Sequence, residues 1–432
     1  MQGIIVFIIV FFVVVTVHEF GHFLVAKKSG ILCQEFAIGF GPKVFHKKIG
    51  ETNFTVRLLP IGGYVKMPDN VFDFNNEVSP YDIKKGMNIY LKLAEDNKVQ
   101  KILLDVTNDV DAVKIQVNDC DLTYKLFIEG YSNGGETLEK FLVKDDACVV
   151  FSGMEEQIAP VNRMFSSHSC GKKIATLFAG PFMNFVLAAC IFVGISMVNG
   201  VPVDKPIIGD IIDNSPAYNV GLKSNDVIKK INDNEIKSWN EIRNKVQETD
   251  GNELRLTIER EGRTLEYNIN PKKETLSDKN GNLKNTYTLG IKVKYEKNLI
   301  YSIKYGLKQT LYYGGIIFMG IVGLFISLIK GIFSLNQLGG PVAIYEMSSE
   351  VAKNGLESTL RWIGILSVNL GLMNLIPIPV LDGGRIVFVL YEALFKKPIN
   401  KKAQYYITIV FALLLLILTI AVTWNDISRL LK

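Results

Sequence analysis

The 432-residue chain is poor in the residues that build small soluble scaffolds. Its five cysteines, Cys33, Cys120, Cys148, Cys170 and Cys190, form no CxxC pair. Their odd number and wide spacing exclude a disulfide framework and a structural zinc knot. Four of the five fall in segments assigned below to the cytoplasmic side, where thiols stay reduced. Charge is also scarce, at 21% of residues, and 48 Lys and Arg against 43 Asp and Glu leave a net charge of only +5. With no basic stripe interleaved with aromatics, no nucleic acid partner is expected. The opening residues lack a basic lead and a small-residue cleavage site, so a retained helix is expected rather than a removed signal. Histidine is rare, with four in the chain; only tryptophan, with three, is scarcer.

What is abundant is apolar sequence, 48% of residues, and it is concentrated. The stretches 3–26, 174–198, 310–331, 358–378 and 404–424 are nearly free of charge and of membrane-crossing length, about 20 residues. Charge-rich segments of domain size separate them. The pattern predicts a multi-pass helical membrane protein carrying soluble modules, with the lipid bilayer as a partner. Lys27, Lys28, Lys43, Lys47 and Lys48 follow the first stretch, and Lys172 and Lys173 precede the second. Positive flanks mark the cytoplasmic side, so the first helix runs inward and the second outward. Lys396, Lys397, Lys401 and Lys402 mark the inner side again. They stay inside only if 310–331 lies at the interface and 358–378 crosses. Four spanning helices and one interfacial segment are therefore expected.

Between the helices, 35–66 reads as short strands broken by Gly-Pro and Gly-Gly turns. Residues 76–158 alternate charge with β-branched runs and predict a small β-rich domain without a ligand cluster. Residues 201–293 predict a compact β-rich module with a Pro-led turn at Ser215-Pro216-Ala217 and a helix near 238–248. It carries no nucleophile or metal cluster, so a binding role is expected.

His18-Glu19-Phe20-Gly21-His22 is the HExxH pattern. Positions i and i+4 share one helix face, so both imidazoles can grip one ion, and Glu19 beside them can act as general base. Ionisable groups in an apolar helix are functional by default, because burying one costs about 2.5–3.5 kcal/mol at a helix centre. A catalytic zinc needs three protein ligands. His46 and His168 stand in polar loop sequence and read as ordinary surface histidines. Asp382, in the apolar stretch Asn374-Leu375-Ile376-Pro377-Ile378-Pro379-Val380-Leu381-Asp382-Gly383-Gly384, is the best third ligand; a helix-capping role is its alternative. The Asn374 amide could hold a substrate carbonyl or bond the backbone freed by the prolines. Asn184, at bilayer depth, reads as helix-packing glue.

HEFGH in the first membrane stretch, FAIGFGP and IGGYVKM after it, FAGPFMN in the second, LGGPVAI, and NLIPIPVLDGG together resemble the site-2 protease family, closest to its RseP/RasP-type bacterial regulated intramembrane metalloproteases. The match spans nearly the whole length. The resemblance implies one Zn2+ per chain on His18, His22 and Asp382, with Glu19 as catalytic base and Asn374 at the substrate. It implies a membrane-reentrant β-sheet whose edge, at Gly62 and Gly63, holds an unwound substrate strand. The implied plan is helix 1 (1–27), reentrant sheet (28–68), cytoplasmic β-rich insert (69–170), helix 2 (171–199), one extracytoplasmic PDZ-like domain (200–296), an interfacial amphipathic region (297–357), helix 3 (358–395), and helix 4 with a tail (396–432). Implied too are a bacterial plasma-membrane location with the active site toward the cytoplasm, and substrates pre-trimmed by a site-1-type protease: single-pass anti-sigma factors and remnant signal peptides. Two other readings fit the segments: a non-catalytic membrane adaptor, and a tethered metalloprotease cutting soluble proteins.

Overall fold

A computed structural model describes residues 2–68, 83–105, 111–132, 135, 137–151, 154–277, 283–397 and 399–431. Residues 69–82, expected to open the insert, lie outside the described residues. The chain divides into two compact units, 1–189 with 310–432, and 190–309.

The first unit opens with α1 (Gln2–Ser29), whose apolar run ends in Lys27 and Lys28. The strands β1 (Glu35–Ile49) and β2 (Thr52–Lys66) follow. They are longer than the short strands expected, because glycines absorb the breaks inside them. Gly39, Gly41 and Gly62 take φ of +86°, +87° and +83°, a left-handed region that only glycine enters cheaply. The chain bends there without leaving the ladder. Residues 35–38 pair with 63–66 on one side and with 53–56 on the other, while 53–56 also pair with 45–48. Two strands thus act as four, and 63–66 form one edge. Beyond the bends, Phe40, Val44, Phe45, Leu58 and Leu59 are exposed apolar side chains.

The insert is a six-stranded sheet: β3 (Asn88–Leu93), β4 (Val99–Leu103), β5 (Ala112–Asp121), β6 (Phe127–Ser132), β7 (Leu138–Phe151) and β8 (Met154–Gln157). Its order is β4-β3-β5-β6-β7-β8, and a parallel β4–β7 pairing closes it around Ile89, Leu91, Ile102, Ile115, Ile128 and Val149. Its last strand is fastened to the hairpin. Lys48 Nζ lies 3.3 Å from Glu155, Lys66 Nζ lies 2.6 Å from Glu156, and Gln34 Nε2 donates to the Gln157 carbonyl at 2.9 Å.

Helix α2 (Cys170–Asn199) follows. In the second unit, Ser215 and Ser238 cap α3 (Pro216–Asn219) and α4 (Trp239–Glu248), the Pro-led turn and the helix expected from sequence. Strand segments 234–235, 227–231, 254–260 and 263–269 form one sheet, and 208–211 pair with 291–293. Ile208, Ile228, Ile242, Leu254, Leu256 and Ile258 fill its core. Asp226, 1% exposed, takes two hydrogen bonds of 2.7 Å from Arg260.

The remaining helices are α5 (Leu299–Ile329), α6 (Pro341–Lys353), α7 (Leu356–Asn374), α8 (Asp382–Phe395) and α9 (Lys401–Leu430). Four described helices are long and apolar enough to cross a membrane: α1, α2, α5 and α9. The number equals the expectation, but the membership differs. Length and hydropathy select α5, which contains 310–331, in place of the 19-residue α7, whose first turns carry Glu357 and Arg361.

Candidate metal centre

Helices α1 and α2 approach closely because both lack side chains at the crossing. A Cβ on Gly21 would strike the Ala179 carbonyl, and one on Gly180 would strike the His22 imidazole. Small residues let membrane helices touch backbone to backbone. The crossing turns His18 and His22 inward, both about 6% exposed. His22 Nδ1 lies 2.8 Å from the Thr176 carbonyl oxygen. A carbonyl only accepts, so Nδ1 carries the hydrogen and Nε2 keeps its lone pair.

Asp382 arrives from the far end of the chain. After α7, Pro377 and Pro379 cannot continue a helix; the chain turns with Leu381 N–H donating to the Ile378 carbonyl at 2.8 Å, and α8 begins at Asp382. Gly383 and Gly384 lie against the carbonyls of Leu375, Ile376 and Ile378, where a Cβ would collide with each. The glycine pair is what lets α8 fold back on this turn.

The outcome is a triangle of donor atoms. His18 Nε2 is 3.2 Å from Asp382 Oδ2, His22 Nε2 is 3.3 Å from it, and the two imidazole nitrogens are 3.2 Å apart. Among the described residues, these three are the group of His, Cys, Asp or Glu able to share one ion. Around a tetrahedral zinc with bonds of about 2.0–2.1 Å, ligand atoms lie about 3.3 Å apart. Asp382 Oδ2 is buried and makes no hydrogen bond among the described residues. Two nitrogen lone pairs and a carboxylate oxygen at this spacing repel unless a cation lies between them, so the donor set fits zinc.

The triangle lies in a cavity of about 860 Å3, also lined by Glu19, Gly62, Gly63, Asn374 and Arg385. Gly63 abuts the catalytic-base candidate directly: a Cβ there would be 2.9 Å from Glu19 Cγ and 3.2 Å from Val15. Gly62 abuts the Phe40 ring at 2.7 Å in the same sense. Asn374 ends α7, and its carboxamide has no hydrogen-bond partner among the described residues. Beneath the edge strand, Glu35 accepts from Thr55 Oγ1, Tyr64 Oη and Arg57 Nη2 at 2.6–2.9 Å. Burial opposes its charge, but these donors outweigh burial and hold the carboxyl below the usual range. Burial and the neighbouring carboxylate push Tyr64 up to about 12. All the sequence-derived site residues thus line one cavity. His46 is exposed, and His168 Nδ1 donates to the Met164 carbonyl at 2.8 Å, so neither joins it. Burial pushes the Cys33 thiol up to about 12 and Cys148 up to about 11, so neither offers a ready thiolate.

Sequence reasoning missed three contributors: the Thr176 carbonyl, Arg385, and the direct contact of Asn184 with His18. The Asn184 side chain is fully buried, and its Nδ2 position lies 3.2 Å from His18 Nδ1. The spacing 176, 180, 184 on α2, facing 18, 21 and 22 on α1, is the helical signal that could have found it.

The model of peptidase family M50 matches residues 6–418. The chain is 38% identical over 430 residues to the zinc metalloprotease RasP of Geobacillus kaustophilus, covering 99% of this chain and 98% of the relative. It is 38% identical over 429 residues, with the same coverage, to the regulator of sigma-W protease RasP of Bacillus subtilis. Among solved structures, the PDZ domain of an SdrC-like protein from Listeria monocytogenes is 23% identical; the match covers 22% of this chain and 90% of that one, with a TM-score of 0.17.

Proposed function

The chain belongs to peptidase family M50, the site-2 proteases, and is an intramembrane zinc metalloprotease; from that membership we propose that it cuts the membrane segments of single-pass proteins already trimmed by an upstream site-1-type protease, namely anti-sigma factors and remnant signal peptides. One observation carries the reading. Two imidazoles from an apolar helix and a distant carboxylate meet within 3.3 Å, in a cavity that also holds a second carboxylate and a strand edge. The sigma-W relative's name supports the anti-sigma class of substrate.

His18, His22 and Asp382 hold one zinc per chain. Bound zinc polarises a carbonyl and lowers the pKa of water toward ~7. Glu19 takes a proton from the attacking water and returns it to the leaving amine. Asn374 hydrogen-bonds the substrate backbone beside the scissile bond. The helical peptide bond must first be exposed, and edge segment 63–66 does this by strand addition. Gly62 and Gly63 leave the room it needs.

The hairpin is reentrant, its exposed apolar tip dipping into lipid. The insert faces the cytoplasm, and the 200–296 module is an extracytoplasmic PDZ-like domain. Contacts at the end of α5 support α7 as the crossing helix. Ser327 Oγ bonds Gln337 at 3.2 Å, Asn425 bonds Asn336 at 3.1 Å, and the Tyr345 ring meets Phe7 near the start of α1. In this reading α5 lies along the interface. Helix α7, 19 residues at 1.5 Å each, spans about 28 Å.

The test is cleavage of candidate anti-sigma factors by the purified chain and by Glu19→Gln in detergent, with products mapped by mass. Cuts within the membrane segment are expected, lost by at least ~100-fold in the variant while zinc stays bound. Cuts confined to aqueous domains, or full activity in the variant, would overturn the proposal.

A further inference from the structure

The ion can use His18 only if its Nε2 carries a lone pair, which requires the ring hydrogen on Nδ1 and an acceptor to hold it there. For His22 that acceptor is the Thr176 carbonyl. For His18 the group in that place is the carboxamide of Asn184, eight residues further along α2. Its side chain is fully buried. The Nδ2 position lies 3.2 Å from His18 Nδ1, while Oδ1 is buried without a hydrogen-bond partner among the described residues.

The two ends of a carboxamide have nearly the same shape, and the hydrogen-bond network decides between them. With Nδ2 toward the ring, Asn184 donates to Nδ1. The ring hydrogen then moves to Nε2, pointing at Asp382 Oδ2, 3.2 Å away. With Oδ1 toward the ring, Asn184 accepts from Nδ1–H, and Nε2 faces the triangle with its lone pair. A half-turn of one buried amide thus exchanges a closed Asp382–His18 contact for an open ion site.

We propose that Asn184 is the positioning residue of the metal centre: its carboxamide oxygen accepts from His18 Nδ1–H and so holds that ring in the ligating tautomer. The proposal rests on the zinc reading of His18, His22 and Asp382. It goes beyond helix packing, because it assigns the residue a hydrogen-bonding polarity. It also explains why α2 presents a backbone carbonyl and an amide at 176 and 184, one for each imidazole.

The test is zinc affinity of the full-length protein in detergent, by competition with a chelator, alongside the melting temperature of the metal-free form. Asn184→Leu keeps the number of side-chain heavy atoms and removes the acceptor; affinity is expected to fall 10–100-fold. Asn184→Asp can only accept, and it should bind zinc at least as tightly as wild type. Unchanged affinity in Asn184→Leu overturns the proposal. So does an affinity more than tenfold weaker in Asn184→Asp, an outcome readable even if Asn184→Leu does not fold. Equal losses of affinity in both variants, with equally lowered metal-free melting, would make Asn184 a packing residue only. A wild-type protein without stoichiometric zinc would instead sink the metal reading beneath it.

Discussion

Glu19 and His22 each rest against a residue with no side chain, and on the proposed roles those two contacts would separate metal binding from catalysis. Gly180 faces the His22 ring and Gly63 faces Glu19 Cγ. Gly180→Val should displace the imidazole, and zinc measured by metal analysis should fall below one per chain. Gly63→Val should push on Glu19 and narrow the strand edge: zinc stays bound, while cleavage rate falls at least ~10-fold, since misplacement of about 1 Å can cost ~100-fold. Equal zinc loss in both would refute the separation. At this scale the side chains that meet in the candidate site were legible in sequence. The His18/His22 pair is local, fixed by helical spacing, and Asp382 betrays itself as a carboxylate in apolar surroundings. The Thr176 carbonyl was not legible, because every residue has one. Asn184 was legible as polar and buried, but its partner depends on how two helices cross.

Elements follow the same division. The turn before Asp382, the Pro-led turn at 215–217 and the helix near 238–248 are local chemistry, and sequence located them; the caps at Ser215 and Ser238 came with the structure. The hairpin is different. Gly-Pro and Gly-Gly read as breaks, yet residues at positive φ let each strand bend and pair on both edges. Only the partner strand decides whether such a glycine ends a ladder or bends it. The second unit has its own core, so its internal ties can be tested alone. Asp226 also accepts from the Lys223 backbone N–H at 2.7 Å. Removing it takes away the carboxylate partner of Arg260, whose guanidinium is held above its usual pKa chiefly by hydrogen bonds to that carboxylate and which keeps its bond to the Gly221 carbonyl at 3.0 Å. Asp226→Ala should destabilise the 200–296 segment by about 1–3 kcal/mol, read as a lower midpoint in urea. An unchanged midpoint would show the pair to be a surface ornament.

At the scale of the whole molecule, the insert and the strand edge are joined by acid–base pairs. Lys66 belongs to the cavity wall and pairs with Glu156 of the insert. Glu156→Lys should repel that wall and slow cleavage several-fold with zinc unaffected, and Lys66→Glu in the same chain should restore part of it. No recovery in the double variant would show the coupling to be absent. This link was beyond sequence reasoning, since no local signal tells which lysine of a hairpin meets which glutamate of a domain 90 positions away.

The three donors also have a topological meaning. His22 and Asp382 stand about 360 positions apart, so a shared ion closes nearly the entire polypeptide into a loop. A buried cluster including Ala26, Leu177 and Val389 helps to close it. A zinc held there would be a clasp as well as a reagent. Thermal unfolding should shift upward with added zinc by mass action, about 2.7 kcal/mol at a hundredfold excess over the dissociation constant. Chelator-treated protein should expose its two ends to added peptidases sooner than the loaded form.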